Sequence, residues 1–233
     1  GVTIVTPVAV TEPGTGSVAF SMAAMGGFTY VSKELTPNPD DPFGFYTMQK
    51  SKLALIGDYD AKEDVESQAL HFMDDLKCLK QNSEKNGRRH WFIFIMGTTK
   101  SVDCQVHFWR LATDKKRLLN QPSVNGLEYG STVMSEEEDT LQAIYSMAKM
   151  SLETHEVVVK DKNQHVCVCM DNNDILKSVG PSNIMCRMGG GVDCNSLTIR
   201  IGYEILAYHS SHLLIAKDLA DAIKVHIEPE RNI

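Results

Sequence analysis

Residues 90–97, HWFIFIMG, are apolar at odd and even positions alike once past the leading histidine. Successive side chains of a strand point to opposite faces, so such a run needs cover on both sides of its sheet. It reads as a central strand, and it commits the chain to a sheet packed against other elements. The run VDCQVHFWRL at 102–111 follows after the short loop GTTKS at 97–101, and the two are expected to form a hairpin.

Helical periodicity appears in three places. From Asp60, the residues Val65, Ala69, Phe72, Leu76 and Leu79 recur at three- and four-residue spacing, with Asp60 and Glu63 placed as a capping box. This predicts an amphipathic helix of about five turns, ended by NSEKNG at 82–87. A second helix is expected from Ser135, with the acidic run EEED at 136–139 set against the helix dipole and a stripe of Leu141, Ile144, Tyr145, Ala148 and Leu152. A third runs from about Ser211 and turns Ile215, Leu219, Ala222 and Ile223 inward.

The remaining pattern is β-like. In the first 60 residues, short runs such as TIVTPVAV, SVAFSMAAMGGFTYV and FGFYTMQKSKLALIG alternate with breakers that include Pro37, Pro39 and Pro42, and no helix is expected there. EVVVKDKNQHVCVCM at 156–170 reads as a second hairpin turning near Lys162 and Asn163, and SLTIRIGYEILAY at 196–208 as a further strand. Helices set between hairpins predict an α+β fold: a largely antiparallel sheet with about three amphipathic helices packed on it. The 233 residues are expected to form a single compact domain over 1–233, with a possible β-rich subregion over 1–60.

Composition excludes some classes of function. With 23 basic and 30 acidic residues and a net charge of −7, the surface as a whole is not built for nucleic acid or anionic lipid, so contact with either requires a local patch. No apolar run reaches the roughly 18 to 20 residues of a transmembrane segment. Six cysteines, at 78, 104, 167, 169, 186 and 194, lie mostly in apolar surroundings, and Cys167 and Cys169 are expected to be reduced and buried. The expected location is intracellular, cytoplasmic or virion-associated. The chain begins at Gly1 rather than at methionine, which reads as release from a longer precursor or as a cloning remnant.

Local motifs for chemistry are weak. The glycines at 189–191 in CRMGGGVDC precede a strand rather than a helix, so they read as a turn and not as a phosphate cradle. His165, Cys167 and Cys169 alternate along one strand, which fits a packed face better than a shared metal ion, and no Cys-x-x-Cys knuckle is present. No nucleophile elbow or His-Glu-x-x-His occurs. No catalytic residue, metal or cofactor is therefore assigned.

One constellation carries charge. In the expected first hairpin Met96 pairs with Val102, which sets Arg89 opposite Trp109 and Arg88 opposite Arg110, while Lys115, Lys116 and Arg117 continue from the same end. Like charges placed opposite one another favour an anion between them. These seven residues are the candidate anion-binding site, for RNA or an acidic protein segment, unless Glu84, Asp114 or the run at 136–139 neutralises them. The function expected from these features is a non-enzymatic structural or assembly protein that self-associates, such as a viral coat, matrix or nucleoprotein-associated subunit. The alternatives are a hydrolase or transferase whose His, Cys and acidic residues meet in space, and an RNA-binding module.

Overall fold

A computed structural model describes residues 1–6, 12–32, 67–87, 89–98, 105–109, 137–159, 162–171 and 194–227. In chain order these form β1 (Val2–Thr6), α1 (Thr15–Gly26), β2 (Thr29–Ser32), α2 (Ser67–Lys85), β3 (His90–Thr98), β4 (Val106–Trp109), α3 (Glu138–Leu152), β5 (Glu156–Val159), β6 (Lys162–His165), β7 (Val168–Asp171), β8 (Cys194–Gly202), α4 (Tyr203–Leu206) and α5 (His209–Ile227). One sheet has six strands in the order β2-β1-β3-β8-β4-β7, and β5 and β6 form a separate two-stranded ribbon.

The expected antiparallel sheet is not what forms. Within the six-stranded sheet β1–β2, β1–β3, β3–β8 and β4–β7 are parallel, and β4–β8 is the one antiparallel pair. The predicted first hairpin is absent, because β8 lies between β3 and β4 and pairs with both. A strand apolar on both faces belongs in a parallel sheet covered on both sides, and the short loop after it was the weaker guide. Five helices, not three, lie among the described residues.

The helix expectations fare better than the sheet. Leu141, Ile144, Ala148 and Leu152 of α3 are all buried, as are Ile215, Leu219, Ala222 and Ile223 of α5. α2 runs on through Asn82 to Lys85, past its predicted end, and its predicted start at Asp60 lies outside the described residues. α1 contradicts the expectation of no helix before residue 60. Its Val18, Met22, Ala19 and Ala23 fall at helical spacing and are buried, and Gly27 at φ 70° closes it by donating its N–H to the Ala23 carbonyl. The expected strand over 196–208 ends at Gly202, where the chain turns into α4. Of the hairpin expected over 156–170 only the β5–β6 pair forms, with Lys162 and Asn163 as strand residues opposite Val159 and Val158, while β7 pairs with β4 in the six-stranded sheet.

Strand register sorts the core into two faces. Ile4, Ile93, Leu197, Ile199, Val106 and Phe108 join the buried side chains of α1, α3 and α5 in one apolar cluster. On the alternate positions Val5, Phe92 and Phe94 are buried outside that cluster, and α2, with Leu76 buried, contacts β2 and β8. Each such aromatic contributes about 1.5–3 kcal/mol through burial alone.

His90, at the start of β3, is buried with Nε2 2.8 Å from the Thr3 hydroxyl. Desolvation, aided by the amino group of Gly1, lowers its pKa from 6.5 to about 4. Above pH 6.5 the ring is neutral in both states; between 6.5 and 4 the unfolded chain takes up a proton that the native state refuses. Stability should therefore fall as pH drops through that window, by about 3 kcal/mol in total. Denaturant titrations at pH 7, 5.5 and 4 check this, and His90→Asn should flatten the profile.

Candidate active site at the carboxyl ends of the parallel strands

In the order β2-β1-β3, the chain leaves β1 for one side and returns on the other, so the direction of winding reverses between β1 and β3. Open sheets of parallel strands bind ligands outside the carboxyl ends of the strands at such a reversal. Three elements converge here: the segment after β1, the end of β3, and the junction of β8 with α4.

Glu12 occupies the first of these. It is buried, and its Oε2 accepts a hydrogen bond from the Gly97 N–H at 2.6 Å. The position of Glu12 is set by a turn: its carbonyl accepts bonds from the Thr15 N–H at 3.2 Å and the Thr15 hydroxyl at 2.7 Å as α1 begins. Gly97 leaves room for the arrangement, since a Cβ there would lie 2.8 Å from the Tyr203 ring and 3.3 Å from Glu12 Oε2.

Tyr203 and Arg200 complete the group. Desolvation and then the charge of Glu12 raise the Tyr203 pKa, and its hydroxyl donates to the Glu12 carboxylate. The phenol is thus protonated throughout the neutral range. Burial lowers the Arg200 pKa, while Glu12 and Tyr203 pull it the other way. The site is a carboxylate, a phenol and a guanidinium gathered from segments far apart in sequence.

The start of α5 borders the same turn. His212 is buried, its Nε2 lies 2.9 Å from the Leu206 carbonyl, and its Nδ1 lies 3.0 Å from Nδ1 of His209. A carbonyl can only accept, so His212 carries its proton on Nε2 and accepts at Nδ1 from His209. His209 itself is exposed at the start of α5.

A second pair lies on β4 and β7. His107 and Cys169 are register partners, with Cys169 Sγ 3.1 Å from His107 Nδ1. Cys167 and Cys169 are half-buried rather than buried as expected, because Cys167 falls just before β7 and Cys169 lies on β7 at the edge of the sheet. Neither is in a disulfide, nor are Cys78 and Cys194. Among the described residues no group of three or more His, Cys, Asp or Glu could hold a metal ion. No described helix is long and apolar enough to cross a membrane.

The predicted anion-binding residues are not gathered by the expected register. Arg89 precedes β3 and forms an ion pair with Glu137, a member of the acidic run named above as its neutraliser. Trp109 ends β4, paired with Thr198 and Asp171 and separated from β3 by β8. Arg88, Arg110, Lys115, Lys116 and Arg117 lie outside the described residues, as does the glycine stretch at 189–191. Anion docking by this patch stays a proposal. Arg89→Gln should lower stability by about 1 kcal/mol or less in urea unfolding, as for other partly exposed pairs, whereas a rise would restore the picture of mutual repulsion.

No family model matches the sequence, and no curated protein matches it. Solved structures do. The gene product Atu2144 from Agrobacterium tumefaciens is similar over 98% of this chain and 88% of its own, at 10% identity and a TM-score of 0.53. The CwlD amidase from Clostridioides difficile, in complex with the GerS lipoprotein, matches over 98% and 99% at 10% identity and a TM-score of 0.47. The catalytic domain of CwlV, an N-acetylmuramoyl-L-alanine amidase from Bacillus (Paenibacillus) polymyxa var. colistinus, matches over 96% of each chain at 8% identity and a TM-score of 0.41. The likeness to Atu2144 is one of fold.

The expectation of a non-enzymatic coat, matrix or nucleoprotein-associated subunit is overturned by this fold. It rested on missing local motifs and on a hairpin-built sheet, and the sheet is mostly parallel. The alternative that the sequence left open, a site assembled in space, has its candidate in the polar cluster at the winding reversal. Sequence reasoning missed Glu12, Gly97, Arg200, Tyr203 and the His107–Cys169 pair. One signal was available: the unbroken apolar run of β3, whose end marks the crevice.

Proposed function

We propose that the protein is a hydrolase that cleaves an acyl bond, an amide or ester, at the crevice outside β1, β3 and β8. The observation that carries this reading is the buried Glu12 carboxylate, fixed at the winding reversal by the Gly97 N–H and the Tyr203 hydroxyl. Glu12 is the general base. It takes a proton from water as the water oxygen bonds to the acyl carbon, and it returns that proton to the leaving nitrogen or oxygen as the old bond breaks. Arg200 balances the negative charge that builds on the acyl oxygen, and Tyr203 holds Glu12 in position between the two transfers.

The choice of an acyl bond rests on the named side chains, a fixed carboxylate base beside a cation that can balance an oxyanion. The test is hydrolysis of a panel of N-acyl amino compounds and chromogenic esters by wild type and Arg200→Gln. The variant should lose about 10²- to 10³-fold in kcat with little change in KM, as when a charge partner for an oxyanion is removed. An unchanged kcat would refute the assignment. Self-association and an intracellular location belong to the same proposal, the latter supported by four cysteines outside disulfides. Sedimentation at micromolar concentration tests the former.

A further inference from the structure

We propose that Cys169 is a nucleophilic thiol that forms mixed disulfides with small disulfides bearing carboxylates, a modification site that shares Arg200 with the Glu12 centre but uses a different reacting atom. Three residues stand in one row across the sheet: Arg200 of β8 is paired with His107 of β4, and His107 is paired with Cys169 of β7. Register partners project from the same face, with Cβ atoms about 4.5–5.5 Å apart. The row therefore sets an arginine, a histidine and a cysteine at neighbouring positions on one face, and the charge of Arg200 also meets Glu12 and Tyr203.

The contact within the row is chemical. Cys169 Sγ lies 3.1 Å from His107 Nδ1, the reach of a sulfur–nitrogen hydrogen bond, and Cys169 is half-buried rather than sealed in the core. A thiol reacts as its thiolate, and an imidazole in contact with it together with a nearby fixed cation favours that form. The same cation attracts a carboxylate on the incoming reagent. By contrast, Cys78 is exposed on α2 with the Asn82 amide 3.6 Å from its sulfur, a neutral donor and not a base.

The step balances without further reagents. Cys169 gives its proton to His107 Nδ1, its sulfur bonds to one sulfur of the disulfide, and the original sulfur–sulfur bond breaks. The departing thiolate takes the proton from His107. Cys169 is oxidised and the second half of the reagent is reduced to a thiol.

Two reagents separate this account from mere exposure. Native protein is treated briefly with the dianionic dithiobis-nitrobenzoate or with the neutral dithiodipyridine, and labelling is read at each cysteine by fragment-resolved mass spectrometry. With the dianion, Cys169 should be labelled about tenfold faster than Cys78 although it is the less exposed of the two. The dianion-to-neutral ratio should also be higher at Cys169 than at Cys78. His107→Asn should bring Cys169 below Cys78, and Arg200→Gln should remove the charge preference. Labelling of Cys169 slower than Cys78 by both reagents, or an equal charge ratio at the two cysteines in wild type, overturns the proposal even if the variants fail to fold. None of these readouts depends on hydrolytic activity.

Discussion

Glu12→Gln is expected to lower kcat/KM for acyl-bond hydrolysis by about 10²- to 10⁴-fold, the range associated with loss of a general base. The fold should survive the change. The glutamine carbonyl can still accept the Gly97 N–H at the place where Glu12 Oε2 accepts it now, and the amide NH2 can donate to the Tyr203 hydroxyl oxygen in place of the bond Tyr203 donates today. What is lost is the ability to take and return a proton. Steady-state kinetics together with a thermal melt separate the two effects: a large fall in rate at unchanged Tm is the expected result. Activity within twofold of wild type would remove Glu12 from the chemistry.

Gly14→Ala should act on stability instead, lowering it by about 3 kcal/mol. Gly14 sits at φ 91°, in the left-handed region, immediately before α1. A Cβ there would lie 2.6 Å from the Leu206 carbonyl oxygen and 3.2 Å from Cε1 of His212. Both neighbours are held: Leu206 closes α4, and His212 is buried against that same carbonyl. Relief would have to come from moving the turn that places Glu12. Chemical denaturation measures the loss, and catalytic rate in the folded fraction should fall with it, because the turn and the carboxylate move together.

The helices were legible in the sequence because their periodicity is local. The stripe Leu141, Ile144, Ala148 and Leu152 needs no knowledge of the partner surface to be read, and its residues are buried as expected. α1 was not legible, since Ala, Met and Gly around Val18 and Met22 give little contrast between faces, and the residues that bound the helix are glycines. Strand order was the larger failure. A gap of a few residues between β3 and β4 suggested a turn, yet β8, about 100 residues further on, takes the place between them. Local spacing cannot reveal such an insertion. The apolar run of β3 was the better evidence, and it argued for the parallel sheet that forms.

The candidate site was hidden for the same reason. Glu12 and Gly97 are 85 residues apart, and Glu12 stands in a Pro-Gly turn that carries no motif. Cys169 was noticed, but its strand alternation suggested core, and His107 is 62 residues away. Only the pairing of β4 with β7 brings them together. Arg89 shows the converse: its neutralisation by the acidic run before α3 was readable from charge alone, and the ion pair with Glu137 is present.

The central claim is that chemistry takes place beside Glu12 at the carboxyl ends of β1, β3 and β8. The most direct test is a crystal structure with a small alkyl phosphonate, whose tetrahedral anion resembles the intermediate of acyl hydrolysis. The account predicts that the phosphonate lies within hydrogen-bonding distance of Arg200 and Tyr203 and next to the Glu12 carboxyl group. A phosphonate bound instead at the arginines around residues 88 and 110, or no phosphonate at the strand ends under saturating conditions, would contradict it.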